Sequence, residues 1–589
     1  MLSPARASLY CCGLMFALPF LQPYHRFPLT SFYSEWLAFA LGLLAALLLL
    51  LLRRQSGQDA AFPAVAFAPL GLILVLGLQT ALGRVPYAEQ ALIAALYLLW
   101  ASLLLVLGRE LGRELGLTAV ADALAWFVLA GGLLSALAGL VQHYEISTPV
   151  DFLIARKGSA AVYGNLGQPN HYAAQLALAL ASVTYLYGRR QLGGLVAGGC
   201  IAVLLFMSAL AGSRSPWLYF AAFTLLALLV RRFRGDDESR KLAFLAIWLL
   251  PGFLIAQGAA TLFVPAHGLW VTSAQRVFEV ASGIEARIQL WGDAWRMFLD
   301  APILGSGWGQ FSWHHFVNPA LTGASAAPGV FNHAHNLALH LLAETGMIGA
   351  LVIIGAAVIW LLDLRKETID SRWWWLLSLL AVIGIHSMLE FPLWYAYFLG
   401  PAALLVGLGA QRTVRVRFHG TQRLIVALCI LAGLLNLFGV LAPYRDFERL
   451  LFTPERRAPS QSDDRPLGPA IAHVHREPLL TPYAELAIAY GVPVSRERLH
   501  EKLDLTARTM RFAPVAVVVY RHGLLLALAG DSAAALQQLQ RSIEVYPAEL
   551  TDVIAQLESL ARSHPAEFTA LLKLAAAKRA ELRARAANR

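Results

Sequence analysis

The stretch Phe331-Asn332-His333-Ala334-His335-Asn336-Leu337-Ala338-Leu339-His340 closes the one long polar segment of the chain, residues 265–336, and opens an apolar run that continues to 362. A second apolar run, 242–264, leads into the same segment. About 20 apolar residues cross the hydrocarbon core of a bilayer, so a polar stretch held between two such runs reads as a large loop strung between membrane helices. Asn336 can cap the helix that follows, which leaves His335 at a helix N-terminus, where free backbone N–H groups and the dipole favour an anion.

Working outward, runs of spanning length recur from residue 9 to residue 441, about thirteen in all at the usual span length. Of the 589 residues 58% are hydrophobic and 14% charged, against about 45–50% apolar in soluble domains. The expected fold is therefore an all-α polytopic membrane protein. The net charge of +10 does not indicate nucleic acid, because the basic residues sit in short loops between apolar runs. Cys11, Cys12, Cys200 and Cys429 all lie in apolar runs and read as small hydrophobes, not as a disulfide or metal framework. Arg6 and the apolar run 9–21 mimic a signal peptide, but Pro19 interrupts the run and no small-x-small cleavage pattern follows, so it is expected to be a retained span.

Alternate connections are rich in arginine and lysine: Arg53 and Arg54, Arg109 and Arg113, Arg189 and Arg190, then the cluster Arg231 to Lys241. The intervening connections are longer and poorer in them. The positive-inside rule then puts the N-terminus in the cytoplasm. Four polar motifs fall together on the outer face: Tyr163 to His171, Gly212-Ser213-Arg214-Ser215, the long segment 265–336, and Glu390 to Tyr395. Motifs scattered in sequence but shared by one face imply one site.

After the last run the composition changes. Residues 1–443 are expected to form the transmembrane domain, including the loop 265–336, and 444–589 a soluble helical domain on the outer side. Within it Tyr520 to Pro547 reads as a helical hairpin with Asp531 as a cap. It resembles one tetratricopeptide unit, or else part of a plain bundle, and needs neighbouring helices near 495–512 and 549–585 to bury its face.

Arg214 sits in a very short outer connection, where an arginine is either functional or a headgroup-snorkelling side chain. Arg287 is either functional or paired with a nearby carboxylate such as Glu285 or Asp293. His335 can accept a proton at neutral pH, or it can simply end a loop. His314, His315, His333, His335 and His340 raise the question of a metal, but no cysteine lies in or beside this segment and outer carboxylates are sparse, so no metal or other cofactor is expected. Two arginines and a histidine in one cleft suit a diphosphate substrate: guanidinium forks bind phosphate oxygens and offset leaving-group charge, and imidazole activates or positions a hydroxyl. Trp291, Trp295, Trp308 and Trp313 could face a sugar or anchor the interface.

The sequence Gly164-Asn165-Leu166-Gly167-Gln168-Pro169-Asn170-His171, the Ser-Arg-Ser at Arg214, the Arg-x-x-Leu-Trp at Arg287, and the His-Ala-His-Asn-Leu followed by Glu344-Thr345-Gly346 resemble the O-antigen ligase and polymerase superfamily. Gly-Gln-Pro-Asn-His and Glu-Phe-Pro-Leu-Trp-Tyr are most similar to its pilin-type O-oligosaccharyltransferases, the PglL/PilO group. The resemblance implies a GT-C-like, metal-independent inner-membrane enzyme. Such an enzyme moves an oligosaccharide from undecaprenyl diphosphate to Ser or Thr hydroxyls of exported, pilin-like proteins at the periplasmic face.

It implies catalytic roles for His335, Arg287 and Arg214, and substrate contacts for Gln168, Asn170, His171, Tyr395 and His333. Gln168 matches the glutamine of the protein-glycosylating branch. Phe391 stands where the pattern leads one to expect a tyrosine, which removes a hydroxyl from that position. The same chemistry with lipid A core sugar or a growing glycan as acceptor, as in a ligase or polymerase, remains open. A lipid-linked glycan transporter would bury its polar sites near the bilayer midplane, whereas the polar residues here collect at one face.

Overall fold

A computed structural model describes residues 3–52, 60–263, 281–318, 329–416, 420–452 and 474–587. The polar segment 265–336 is thus described only in part, its residues 265–280 and 319–328 lying outside. The described chain is helical apart from one short antiparallel pair, Ala60–Pro63 with Thr413–Val416. Eight described helical stretches are long and apolar enough to cross a membrane by length and composition: Pro4–Leu21, Phe32–Leu50, Ala64–Ala81, Ala88–Tyr144, Ser215–Arg234, Asp237–Leu262, Leu337–Leu364 and Gly420–Leu451. Ala88–Tyr144 has 57 residues and leaves helical geometry at Gly116 (φ 78°, ψ 150°). Unbroken it would run for about 85 Å at 1.5 Å per residue, far beyond a bilayer core of about 30 Å. Shorter apolar helices occupy Gly194–Leu210 and Ala396–Gly409.

The chain divides into two compact units. The first comprises Met1–Gly71, Tyr97–Val280 and Val352–Gly439. At its centre lies the helix Pro169–Gly188, buried on nearly every side. That burial is eased because several of its polar side chains are satisfied locally: Ser182 and Thr184 donate to the carbonyls of Leu178 and Leu180, at 3.0 and 2.8 Å. Trp375 donates to Ser182 Oγ at 3.0 Å and Tyr185 donates to Asp122 at 2.7 Å. Large buried rings, among them Trp374, Phe220, Phe223 and Phe253, fill the space around it.

The second unit comprises Leu72–Leu96, Ala281–Leu351 and Val440–Arg589. Here the segment that reads as a polar loop contains the helices Ala281–Asp300 and Phe311–Val317. The first forms because Leu290, Ala294 and Met297 recur at helical spacing and bury against Phe311, Ala334 and Ala343. In the C-terminal region Ala516–Leu528 and Ser532–Val545 make the expected hairpin, with Asp531 Oδ1 accepting Ala534 N–H at 3.0 Å and Gly530 at φ 87°. Leu524, Leu528, Leu539 and Ile543 bury against Leu550, Ile554 and Leu557 of Leu550–Ser563 and Phe568 and Leu571 of Pro565–Ala587. Arg508 binds both oxygens of Glu485 at 3.1 Å, and Tyr87 donates to the same carboxylate at 2.6 Å.

Candidate functional site

In the first unit the motif around Gln168 is held by two amides, Gln142 from outside every motif and Asn165 from within it. Gln142 donates to the carbonyls of Ala155 and Gly164 at 2.7 and 3.0 Å and accepts from the backbone of Tyr163 and Gly164. Asn165 donates to the carbonyls of Leu21 and Leu153, both at 2.7 Å, and accepts from Ala155 N–H. With backbone groups of the segment satisfied in this way, the turn before the helix is fixed. Gln168 then caps that helix, its Oε1 accepting His171 N–H at 2.6 Å with Pro169 in the first turn.

One turn of helix therefore presents Gln168, Asn170 and His171 together. Asn170 donates to Glu390 Oε1 at 2.8 Å, which ties the motif to the Glu390–Tyr395 segment. The His171 ring lies edge-on to Tyr395 at 5.0 Å between centroids, and its Nδ1 is 3.3 Å from the Tyr397 hydroxyl. Glu35 supports the same corner from the second spanning helix. Its carboxylate accepts Ala396 N–H at 2.5 Å and the Tyr97 hydroxyl at 3.0 Å, fixing the start of Ala396–Gly409 just after Tyr395. A carboxylate inside an apolar run is the signal that could have found it. Gln168, His171 and Tyr395 line a cavity of about 260 Å³. Arg214 belongs to the same unit, half-buried at the N-cap of Ser215–Arg234.

In the second unit the site is built around Glu344, buried to 1% exposure. Its carboxylate accepts the N–H groups of Gly309 and Phe311 at 2.8 and 3.0 Å, and its carbonyl accepts Gly307 N–H and Gln79 Nε2 at 3.1 and 2.7 Å. One residue thereby fixes the glycine-rich strip Gly305–Gly309. The strip lies so close that a Cβ on Gly305 would meet the Glu344 carbonyl at 2.3 Å, and one on Gly346 would meet Gly305 N at 2.5 Å. Gly346 itself has φ 63° and ψ −163°, a region reserved for glycine. Gly346→Ala is expected to cost at least about 2 kcal/mol, seen as lost monodisperse protein after detergent extraction, and a full wild-type yield would argue against this packing.

His340 Nε2 faces Glu344 Oε2 at 3.4 Å, and the His333 ring stacks on His340 at 4.7 Å and 21°. His315 faces Asp293 at 3.6 Å. Among the described residues no three His, Cys, Asp or Glu side chains converge as metal ligands would. His333 is half-buried as a residue, but both its ring nitrogens are out of water. Burial holds it well below the ordinary imidazole range, and the rings of His340 and His335 push the same way. Burial alone takes His522 down to about 4.

The folded protein therefore declines protons that the unfolded chain takes up below about pH 6.5, so this stability is complete above that pH and is lost as pH falls. The melting midpoint in detergent is expected to drop by at least about 2 °C between pH 7.5 and pH 5. A midpoint that rises on acidification would contradict the buried, neutral state of these two histidines.

His335 adjoins that packed group through His333. Its backbone is left-handed, φ 49°, a conformation uncommon for a residue with a Cβ. The next residue caps the following helix as the spacing predicts, Asn336 Oδ1 accepting Leu339 N–H at 3.1 Å. Arg287 is half-buried one turn ahead of Leu290 on the same helix face. Leu290 and Ala294 pack in one cluster with Ala334, so the structure brings the Arg287 helix to the segment that carries His335. Of the four tryptophans, Trp308 is partly buried against Leu76, Val85 and Ala91, and Trp313 is partly buried against Phe316, whereas Trp295 is exposed.

The site residues are thus divided: Gln168, Asn170, His171, Tyr395 and Arg214 lie in the first unit, and Arg287, His333 and His335 in the second. Residues 199–354 match the family described as O-Antigen ligase, and residues 374–558 match that described as virulence factor membrane-bound polymerase, C-terminal. The first match contains Arg214, Arg287, His333, His335 and Glu344, the second Glu390 and Tyr395. Two proteins of Acinetobacter baylyi (strain ATCC 33305 / BD413 / ADP1) are similar over most of their length. A general O-oligosaccharyltransferase is 28% identical over 410 residues, 68% of this chain and 69% of that protein. A ComP-specific O-oligosaccharyltransferase is 23% identical over 390 residues, 66% and 68% of the two chains. With apolar helices of spanning length, an all-α build and these matches in hand, the chain is a membrane glycosyltransferase related to the O-antigen ligase family, which its residues 199–354 match, and distantly similar to the O-oligosaccharyltransferases.

Proposed function

We propose that this enzyme transfers an oligosaccharide from undecaprenyl diphosphate to Ser or Thr hydroxyls of exported, pilin-like proteins at the periplasmic face of the bacterial inner membrane, without a metal ion. The observation that carries the proposal is His335: an imidazole in a left-handed backbone, directly before a capped helix and beside the packed helix of Arg287. Strained backbone of this kind collects at working sites.

In the proposed reaction the acceptor hydroxyl oxygen bonds to the anomeric carbon while the bond from that carbon to the diphosphate oxygen breaks. The bonding pair leaves with undecaprenyl diphosphate, and the hydroxyl proton goes to His335. Arg214 and Arg287 bind the diphosphate and offset the charge that grows on it. Gln168, Asn170, His171, Tyr395 and His333 contact the substrates. About thirteen spans, a cytoplasmic N-terminus and a periplasmic, tetratricopeptide-like domain over 444–589 belong to the same proposal. Support for the orientation comes from the arginine-rich alternate connections.

The match of residues 374–558 to a polymerase family favours one second reading, in which the acceptor is a growing glycan. The experiment is transfer by the purified protein in detergent with EDTA, undecaprenyl-diphosphate oligosaccharide as donor, and a pilin, lipid A core and free glycan as parallel acceptors. Mass spectrometry that finds modified pilin sustains the proposal. Product on lipid A core or on glycan alone makes the enzyme a ligase or a polymerase.

A further inference from the structure

The cavity of about 260 Å³ in the first unit has a wall that neither the motifs nor the mechanism uses: the N-terminal connection His25–Ser34. His25 pins that wall in place. Its Nδ1 lies 3.0 Å from the carbonyl oxygen of Thr30 and its Nε2 2.6 Å from that of Asn165. Gly167 passes so close beneath that a Cβ there would touch the imidazole at 3.3 Å, and its φ of 70° excludes most other residues. The connection before the second span and the turn before the central helix are thereby locked into one rim.

The lining has a definite chemistry. Three ring-bearing residues, His171, Tyr395 and Tyr397, line it together with the hydroxyl-bearing Thr30 and Ser34 and the amide-bearing Gln168. The Gln168 oxygen is spent on its helix cap, which leaves the amide N–H donors for a ligand. Among the described residues the Ser34 and Tyr395 hydroxyls take no hydrogen bond, although Ser34 is 3% exposed. No arginine or lysine contributes to the lining, so the cavity does not suit a phosphate. Its volume falls just below the range of about 300–1,000 Å³ typical of pockets for drug-sized ligands, which suits one ring and not a chain of them.

Aromatic rings sharing one cavity with unspent neutral donors and acceptors match a group with apolar C–H faces and a girdle of hydroxyls. We infer that this cavity binds a single pyranose ring of the transferred or accepting saccharide, with Ser34, Gln168 and Tyr395 reading its hydroxyls and His25 holding the wall that carries Ser34. The inference rests on the glycan-transfer reading above, and it adds the N-terminal connection to the substrate site.

The test is equilibrium binding to the full-length protein in detergent, with three probes: undecaprenyl-diphosphate oligosaccharide, undecaprenyl diphosphate without sugar, and the free oligosaccharide. Ser34→Phe fills the cavity, and Tyr395→Phe removes one hydroxyl with little risk to folding. A loss of affinity for the sugar-bearing lipid, at least tenfold in Ser34→Phe and about two- to tenfold in Tyr395→Phe, with unchanged binding of the bare lipid, assigns the cavity to the donor sugar. The same loss confined to the free oligosaccharide assigns it to a saccharide acceptor. Unchanged affinity for both saccharide probes in the monodisperse Tyr395→Phe protein, or in Ser34→Phe if that variant folds, overturns the inference. The two claims fail separately: a wild-type protein that binds the saccharides through this cavity but modifies no acceptor refutes the transfer reading, whereas normal transfer and binding in the filled variant refute only the cavity.

Discussion

Replacing His335 by Ala, Asn or Gly is expected to lower glycan transfer by at least about 100-fold, the lower end of what a positioned acid or base contributes. The three replacements are chosen because two explanations of this histidine predict different results. Its φ of 49° puts it in the left-handed region, where alanine is strained, asparagine is tolerated and glycine is at ease. If the residue served only to turn the chain into the helix capped by Asn336, glycine and asparagine would restore activity and alanine would be the outlier. If the imidazole handles the acceptor proton, all three fail alike, because none carries a base. Initial rates at saturating donor and acceptor separate these cases. Rates near wild type in His335→Gly would remove His335 from the chemistry.

The left-handed turn at His335 is also where sequence reasoning was both informative and incomplete. The cap at Asn336 was legible because an amide side chain before an apolar run has one dominant use. The hairpin around Asp531 was legible for the same reason. The helix Ala281–Asp300 was not, since its charged residues Glu285, Arg287, Asp293, Arg296 and Asp300 break any apolar run of spanning length; only the spacing of Leu290, Ala294 and Met297 betrays it. Glu344 and Asn165 stand within the motifs, but nothing in the sequence marks either as an organiser. Each binds backbone groups, which leave no trace in the identity of the residues they belong to. The Glu35 bond to Ala396 N–H joins residues 361 apart in sequence, and no local pattern encodes such a partner. What the motifs supplied was a set of chemically apt side chains; the buried amides and carboxylates that position them emerge only in three dimensions.

Arg287 is the residue for which charge and shape can be told apart. Arg287→Ala is expected to reduce transfer by about 100- to 1,000-fold, the effect of removing one preorganised donor from a site where charge develops. Arg287→Lys keeps the charge but replaces a planar fork with a point donor, so it is expected to recover only part of that loss. The residue is half-buried and lies one turn before the packed Leu290. Either variant should therefore keep the fold, which a melting midpoint close to wild type would verify.

If Arg214 binds the same diphosphate, as proposed, the double variant Arg214→Ala/Arg287→Ala should lose much less than the product of the single losses. Losses that simply multiply would mean that the two arginines serve different groups. A full wild-type rate in Arg287→Lys would show that a positive charge suffices and that no bidentate phosphate contact is made there.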